Sequence, residues 1–518
     1  MSSRRLQVVW EGDFGGTGSL AQVNIEIATR LAVHVDLRVV ACGRGEVDPR
    51  VRPLLDRSLA RVDVTLRHGS PPILEPPEAG RWVWMQPWEY GPCLPLDWLA
   101  IARERVDALL VYSPWVRAQL VENGLSDARV HAVPLGVDLT RFRVDAPPRD
   151  LPTSKRCRLL YLGGLTHRKG IDIVLRAYRE AFTAADDVVL VIKEFDPAGA
   201  YAPIAFGEVD AMLAGADAPA SLRLPVDLPA ADLPGIYTAC SALVHPYRAE
   251  GFCLPMAEAM ACARPVIATD LGGASDFATP ATATLLPSVL LHLPSRDLGR
   301  RRLSNFPDWR EADRSSLVAA MREVFEHPER FEVQVQRARQ LIHEQFTWDH
   351  AAAGMRSALE AIVASPPRAA SELPPPRDAA ALVARAAALL EVGDLDHAAA
   401  DFHRALGPAS TAPPGEEASV AAAALAGLGR VAWEHGIPEN TYRFHRLALE
   451  HVPDDSALKL VCARFATIAG HRSEAVAGFE SLLASSNDAV RAAAAEGLVE
   501  ALLMGAGDSK TQVMTEAP

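Results

Sequence analysis

His245–Gly273 reads HPYRAEGFCLPMAEAMACARPVIATDLGG, and its order of strand end, glycine loop, proline and helix-forming run decides the fold. The run MAEAMACA has strong helix propensity and proline is favoured at the first helical position, so a helix starts near Pro255. The backbone amides between Phe252 and Met256, those of Phe252, Cys253, Leu254 and Met256, then lie at a helix N-terminus, where unpaired donors and the macrodipole favour an anion such as diphosphate. Gly251 lets the chain come close to a ligand. Glu250 precedes the helix and Glu258 lies about one turn inside it, so two carboxylates can take hydroxyl groups at separate points of one elongated ligand. Alone, such a pair also fits a capped helix with two surface glutamates; the surrounding strand, loop, proline and helix favour the ligand.

Outward from this segment, short aliphatic runs alternate with helix-length stretches. One series comprises Leu6–Trp10, Leu37–Cys42, Trp82–Gln86, Ala108–Tyr112 and Val130–Val133. After the Pro-rich stretch Asp145–Pro152, a second comprises Arg158–Leu162, Val188–Lys193, Ala242–His245 and Pro265–Ala268. Such alternation predicts parallel sheets covered by helices on both faces. The expected fold class is therefore α/β: two Rossmann-like doubly wound domains, 1–150 and 151–363, face a cleft, with chemistry on the strand-end loops. The last helices of the second domain are expected to pack back on the first. A Pro-rich linker is expected over 364–377.

From 378 to 505 the composition shifts to Ala and Leu, and a repeat emerges. Gly393, Gly436 and Gly470 share a register: each has a small residue seven positions earlier (Ala386, Gly429, Ala463), and Ala405, Ala448 or Leu482 follows twelve later. Phe402, His445 and Phe479 share a third offset. This all-α region resembles the tetratricopeptide repeat, in which small residues let paired helices approach. Residues 506–518 are expected to be a disordered tail.

Leu160–Ile173, LYLGGLTHRKGIDI, is a second strand, glycine turn (Gly163, Gly164) and helix opening. Arg168 and Lys169 can neutralise a diphosphate leaving group, and Lys193 ends the neighbouring strand. With the Glu250/Glu258 pair, this segment resembles glycosyltransferase family 4, retaining enzymes of GT-B fold. The resemblance implies that Glu250 contacts the transferred sugar, Glu258 the ribose, and the intervening amides the sugar and diphosphate, with Lys169 in a catalytic role. Cys253 stands where the family often has glycine, and Gly164 where it commonly has arginine, which makes Arg168 the substitute cation. The match loosens in the N-terminal half. Gly15 and Gly16 lie in a glycine loop after the first strand, and Pro134, Gly136, Val137 and Asp138 resemble the family's turn before the linker, with Leu135 replacing asparagine. Gln86, with no histidine close to it in sequence, lies near the place where relatives carry a sugar-contacting histidine; Glu89 is a candidate general base.

The 518 residues are 49% hydrophobic and 23% charged, ordinary for a folded protein, and a formal charge of −13 gives no general attraction to nucleic acid. No run approaches a membrane span, and seven scattered cysteines without a C-x-x-C pair suit a reducing compartment. The expectation is a cytoplasmic protein, peripheral to the membrane at most. None of the 15 histidines forms a metal-like pair, so neither metal nor other cofactor is expected. The expected partners are a nucleotide sugar, a hydroxyl acceptor of unknown identity and, through the repeats, a protein. Two alternatives stay open: a degenerate scaffold acting through the repeats, and another GT-B enzyme such as a nucleotide-sugar epimerase.

Overall fold

The computed structural model describes residues 4–503 except 17, 44, 196–205, 226–227, 299–300, 367–378, 392, 394 and 408–416. Most of the expected Pro-rich linker (367–377) and the expected tail (506–518) lie outside the described residues. The chain forms two compact units, one of Met1–Leu298 with Leu303–Arg368, the other of Gly299–Arg302 with Ala369–Pro518.

The first unit holds two parallel six-stranded sheets. The N-terminal sheet contains β1 (Gln7–Gly12), β2 (Asp36–Ala41), β3 (Val64–His68), β4 (Arg81–Met85), β5 (Ala108–Val111) and β6 (Val130–Ala132), in the order β2-β1-β3-β4-β5-β6. Helices α1 (Ser19–Leu31), α2 (Leu96–Glu104) and α3 (Pro114–Glu122) connect them. The second sheet contains β7 (Cys157–Leu162), β8 (Val188–Lys193), β9 (Ala220–Arg223), β10 (Ala242–His245), β11 (Val266–Thr269) and β12 (Thr284–Leu286), in the order β12-β11-β10-β7-β8-β9. Its helices are α4 (Ile171–Ala181), α5 (Val209–Leu213), α6 (Leu233–Ala239) and α7 (Leu254–Ala261), followed by α8 (Arg314–Glu326), α9 (Glu332–Gln345) and α10 (Trp348–Ala364). Every residue of β5, β8, β10 and β11 is buried. That is why these strands read as unbroken aliphatic runs rather than alternating ones: helices cover both faces.

In the second sheet β7 and β10 are neighbours, but the chain leaves them in opposite directions, through β8 and β9 on one side and β11 and β12 on the other. The crevice between their carboxyl ends is a topological switch point, where open α/β sheets bind ligands. Both segments singled out above, Gly163–Lys169 and His245–Glu258, start there.

Two features tie the halves of this unit together. Helix α10 returns to α1, with Arg30 Nε 2.9 Å from Asp349 Oδ1, and the Gly136–Val137 turn bridges Thr347. A Cβ on Gly136 would lie 2.2 Å from the Thr347 carbonyl carbon, so only glycine fits. The second tie is an antiparallel pair, Ser288–His292 with Asp308–Ala312. Asp308 N donates to Tyr90 O at 3.0 Å and Ser304 N to Leu94 O at 2.8 Å, which joins this insertion to the loop after β4.

The second unit is helical: α11 (Ala379–Glu391), α12 (Leu395–Ala405), α13 (Glu417–Glu434), α14 (Pro438–His451), α15 (Ser456–Ala469), α16 (Arg472–Leu482) and α17 (Asp488–Leu503), each packed on the next. The shared register has a physical counterpart. Gly393, Gly436 and Gly470 all take the left-handed conformation, at φ 78, 68 and 85°, and turn the chain between consecutive helices. Phe402, His445 and Phe479 are buried, and a Cβ on Gly427, Gly429 or Gly497 would strike their rings at 2.2 to 2.4 Å. The insertion Pro408–Gly415 lies outside the described residues.

Candidate active site

Glu250 is 3% exposed and sits in the loop between β10 and α7. Its Oε1 meets Lys169 Nζ and lies 3.4 Å from His245 Nε2, while Oε2 is 3.9 Å from Arg168 Nη1. Burial alone would raise its pKa, but Lys169, the His245 hydrogen bond and Arg168 outweigh burial and hold the carboxyl below its ordinary range. It is an ion, not an acid. Burial also lowers the His245 pKa, against the opposing pull of Glu250, so the ring is neutral. With Nε2–H facing Glu250, the buried Nδ1, which has no partner among the described residues, is a bare acceptor rather than a stranded donor.

Lys169 and Arg168 are presented by a short 3-10 turn, His167–Lys169, between β7 and α4. Thr166 caps it through its side chain, and Gly170, at φ 74°, ends it. A Cβ on Gly170 would lie 2.0 Å from Pro246 O, so the turn is wedged against the loop that carries Glu250. Arg168 is 5% exposed; its Nη1 donates to Ala249 O at 2.8 Å and pairs with Glu89 Oε2 at 2.9 Å. Glu89 is thereby brought from the N-terminal half to the cation pair. Gly163 and Gly164 shape the turn's entry, Gly164 O accepting the Tyr161 hydroxyl at 2.7 Å.

Helix α7 starts at Leu254 with Pro255 in its first turn, one residue ahead of the position expected from proline alone. Its cap residue Cys253 adopts φ 72° and ψ 69°, the left-handed conformation that favours glycine. Phe252 turns its ring onto Phe277 and Phe346 and offers the cleft only backbone. A Cβ on Gly251 would meet Trp88 O at 3.1 Å, and one on Gly273 would collide with the Gly251 carbonyl at 2.2 Å, so the whole loop is built by close backbone approach. Glu258 is 6% exposed and accepts the Tyr237 hydroxyl at 2.8 Å. Burial pushes its pKa up to about 7, with Tyr237 and Arg141 opposing.

The other sequence candidates divide. Lys193 is 1% exposed, and its Nζ donates to Glu194 O at 2.6 Å and lies over the Phe195 ring. Gly15 and Gly16 donate their amides to Asp13 Oδ1 at 3.0 and 2.9 Å, so this loop is folded on its own aspartate. Gln86 is buried, with Nε2 bonded to Pro87 O and Oε1 without a partner among the described residues. The expectation that no histidine accompanies this strand end holds only along the chain. His68, opposite Met85 in the sheet, lies at the end of β3, its ring nitrogens 2.5 Å from Asn24 Oδ1 and Tyr112 Oη. Burial pushes its pKa down to about 3. Sequence reading missed it because the contact joins residues 44 apart. It also missed Tyr237 and Arg248, whose partners are side chains on other elements, and His245, whose partner Glu250 lies only five residues on. A separate surface depression of about 530 Å³, lined by Ile173, Arg176 and Glu311 among others, includes none of these groups.

Residues 156–289 match the family described as Glycosyl transferases group 1. The stretch runs from the start of the second sheet to the first residues of the antiparallel insertion and contains both segments of the site. Among characterised proteins, the chain is 29% identical over 175 residues to a D-inositol 3-phosphate glycosyltransferase of Arthrobacter sp. (strain FB24), covering 32% of this chain and 40% of that one. It is 30% identical over 177 residues to the protein of that name from Thermobifida fusca (strain YX), with the same coverage. The chain thus spans about two fifths of the length of these relatives. Among solved structures, a glycosyltransferase from Rickettsia africae ESF-5 superposes with a TM-score of 0.50 at 12% identity, covering 70% of this chain and 100% of that one. The paired sheets are the GT-B architecture. Among the described residues no helix is long and apolar enough to cross a membrane.

Proposed function

We propose that the protein is a retaining glycosyltransferase that moves a hexose-type sugar from a nucleoside diphosphate to a hydroxyl acceptor. The observation that carries this reading is the Lys169–Glu250 pair, its carboxylate buried and its lysine partly so, with Arg168 beside it, at the switch point and against the N-terminus of α7. A cation pair and a helix N-terminus fit a diphosphate, and a carboxylate held ionised beside them fits the sugar. The donor would lie with its diphosphate across Lys169, Arg168 and the amides after Gly251, its sugar at Glu250 and its ribose at Glu258.

As the bond to the sugar breaks, charge grows on the leaving phosphate, where Lys169 and Arg168 stabilise it without reorganising. Glu250 stays ionised and so cannot give up a proton; its part is to orient the sugar and stabilise positive charge at its ring. Front-face attack, with the leaving oxygen taking the acceptor proton, accounts for retention without an enzyme nucleophile. We also propose that no divalent metal is needed. The ligand atoms of His245, Glu250 and Cys253 lie within 4.8 Å of one another, but the Lys169 ammonium already meets this carboxylate.

Calorimetric titration with uridine, guanosine and adenosine diphosphates, with and without a chelator, tests the reading. One diphosphate should bind in chelator, Lys169→Met should weaken it by about 10- to 100-fold for a lost charged hydrogen bond, and Glu250→Gln should chiefly lower turnover. If none binds, or if binding needs a divalent ion, the donor site is misread. Release of nucleoside diphosphate from the donor separates a transferase from a degenerate scaffold or an epimerase.

A further inference from the structure

We propose that Arg248 is a positioning residue for the two donor-site cations, coupling them to the antiparallel insertion through Glu311; this rests on the reading of Arg168 and Lys169 as the diphosphate site. Arg248 is 6% exposed, and all five N–H donors of its guanidinium are engaged. Nη1 and Nη2 hold Asp172 in the first turn of α4 at 2.7 and 2.9 Å. Nε and Nη2 hold Glu311 at 2.5 and 3.0 Å, and Nη1 also donates to His167 O. Its backbone continues the pattern: N donates to Arg168 O at 2.8 Å, and O accepts from Arg310 N at 2.9 Å.

These contacts enclose the 3-10 turn. Its carbonyls at His167 and Arg168 are held from the Arg248 side, the helix that follows is held through Asp172, and Arg248 stands two residues before Glu250. The side chain, through His167 O and Asp172, and the backbone N–H, through Arg168 O, therefore hold the turn that presents Lys169 and Arg168 to the carboxylate they face. Glu311 extends this to the insertion, which through Asp308 N and Tyr90 O reaches the loop that carries Glu89, the partner of Arg168. The planar fork is what the geometry uses, and a lysine has the charge without it. Arg248 touches no position assigned to the donor, so its effect passes through the turn.

The experiment compares the parent protein, Arg248→Lys and Glu311→Gln. The probes are the nucleoside diphosphate that binds the parent and its nucleoside without phosphates, titrated by calorimetry and by NMR. Diphosphate affinity should fall about 10-fold in Arg248→Lys and about 3-fold in Glu311→Gln, while nucleoside affinity stays at the parent value, because the fork is lost in one and half its carboxylate charge in the other. A merely structural role would lower the unfolding temperature and leave the ratio of the two affinities unchanged, and that result overturns the proposal. Should Arg248→Lys fail to fold, Glu311→Gln decides, since its carboxylate is a third exposed and its loss leaves Asp172 paired. Unaltered diphosphate affinity in that variant overturns the proposal as well. If no diphosphate binds the parent, the donor-site reading has failed, and the proposal with it.

Discussion

Glu258→Gln should remove a dependence of stability on pH that comes from one carboxyl group. The group is buried, accepts one hydrogen bond from Tyr237, and has its pKa pushed up to about 7 from an ordinary 4.5. The folded protein therefore holds this proton more tightly than the unfolded chain does. Its contribution is fully present below pH 4.5 and is lost as pH rises through 7. A difference of this size, at 1.36 kcal/mol per pH unit, corresponds to about 3 kcal/mol across the window. Glutamine can accept the same hydroxyl and carries no charge at any pH. The assay is urea unfolding of parent and variant between pH 4.5 and 8.5, followed by tryptophan fluorescence; eight of the nine tryptophans lie in the first unit. The stability difference should move by about 3 kcal/mol in favour of glutamine from the acid end to the alkaline end. Parallel pH profiles would refute the assignment. A second consequence checks the ribose role. Hydroxyls donating to the ionised carboxylate would lower its pKa, so nucleoside diphosphate binding near pH 6.5 should release more protons in the parent than in the variant, the ligand phosphate's own release being common to both.

What was legible in the sequence is what the backbone demands locally. Glycine at 163 and 251, proline at 255 and the buried aliphatic runs answer to turn conformation, helix start and sheet burial, each decided within a few residues. The two sheets and the positions of Glu250, Glu258 and Lys169 followed from these. The electrostatic state of the site did not, because it is made by contacts between distant segments: Lys169 and Glu250 are 81 residues apart, Arg248 and Glu311 63. Nothing in the local pattern separates an ionised Glu250 from a Glu258 whose proton is held to about pH 7. The difference is that Lys169, His245 and Arg168 outweigh burial at one, whereas Tyr237 and Arg141 do not at the other. Cys253 lies between these cases. Its place in a glycine-rich loop was visible, but only the backbone shows that it takes φ 72°, a conformation that favours glycine.

Two further outcomes are expected. Cys253→Val should destabilise the protein by about 2 kcal/mol or more, because a β-branched residue is strained in the left-handed region, whereas Cys253→Gly should stay within about 1 kcal/mol of the parent, conformational relief offsetting lost burial; equal effects in thermal unfolding would contradict this. The last concerns the repeats. Both sheets, α10 and every side chain of the candidate site belong to the first unit, and the last carbonyl it uses is Ser365 O, which accepts from Arg81 Nη2 at 2.6 Å. A chain ended after Pro366 keeps that bond and removes the seven helices among the described residues of the second unit. Nucleoside diphosphate should then bind within about two-fold of the parent, because binding energy comes from groups that remain. Under the proposed function, transfer to the acceptor is where a loss should appear, since repeat arrays in general can form concave surfaces that bind partners. A shortened chain with parent-like circular dichroism that no longer binds the diphosphate would refute this division of labour.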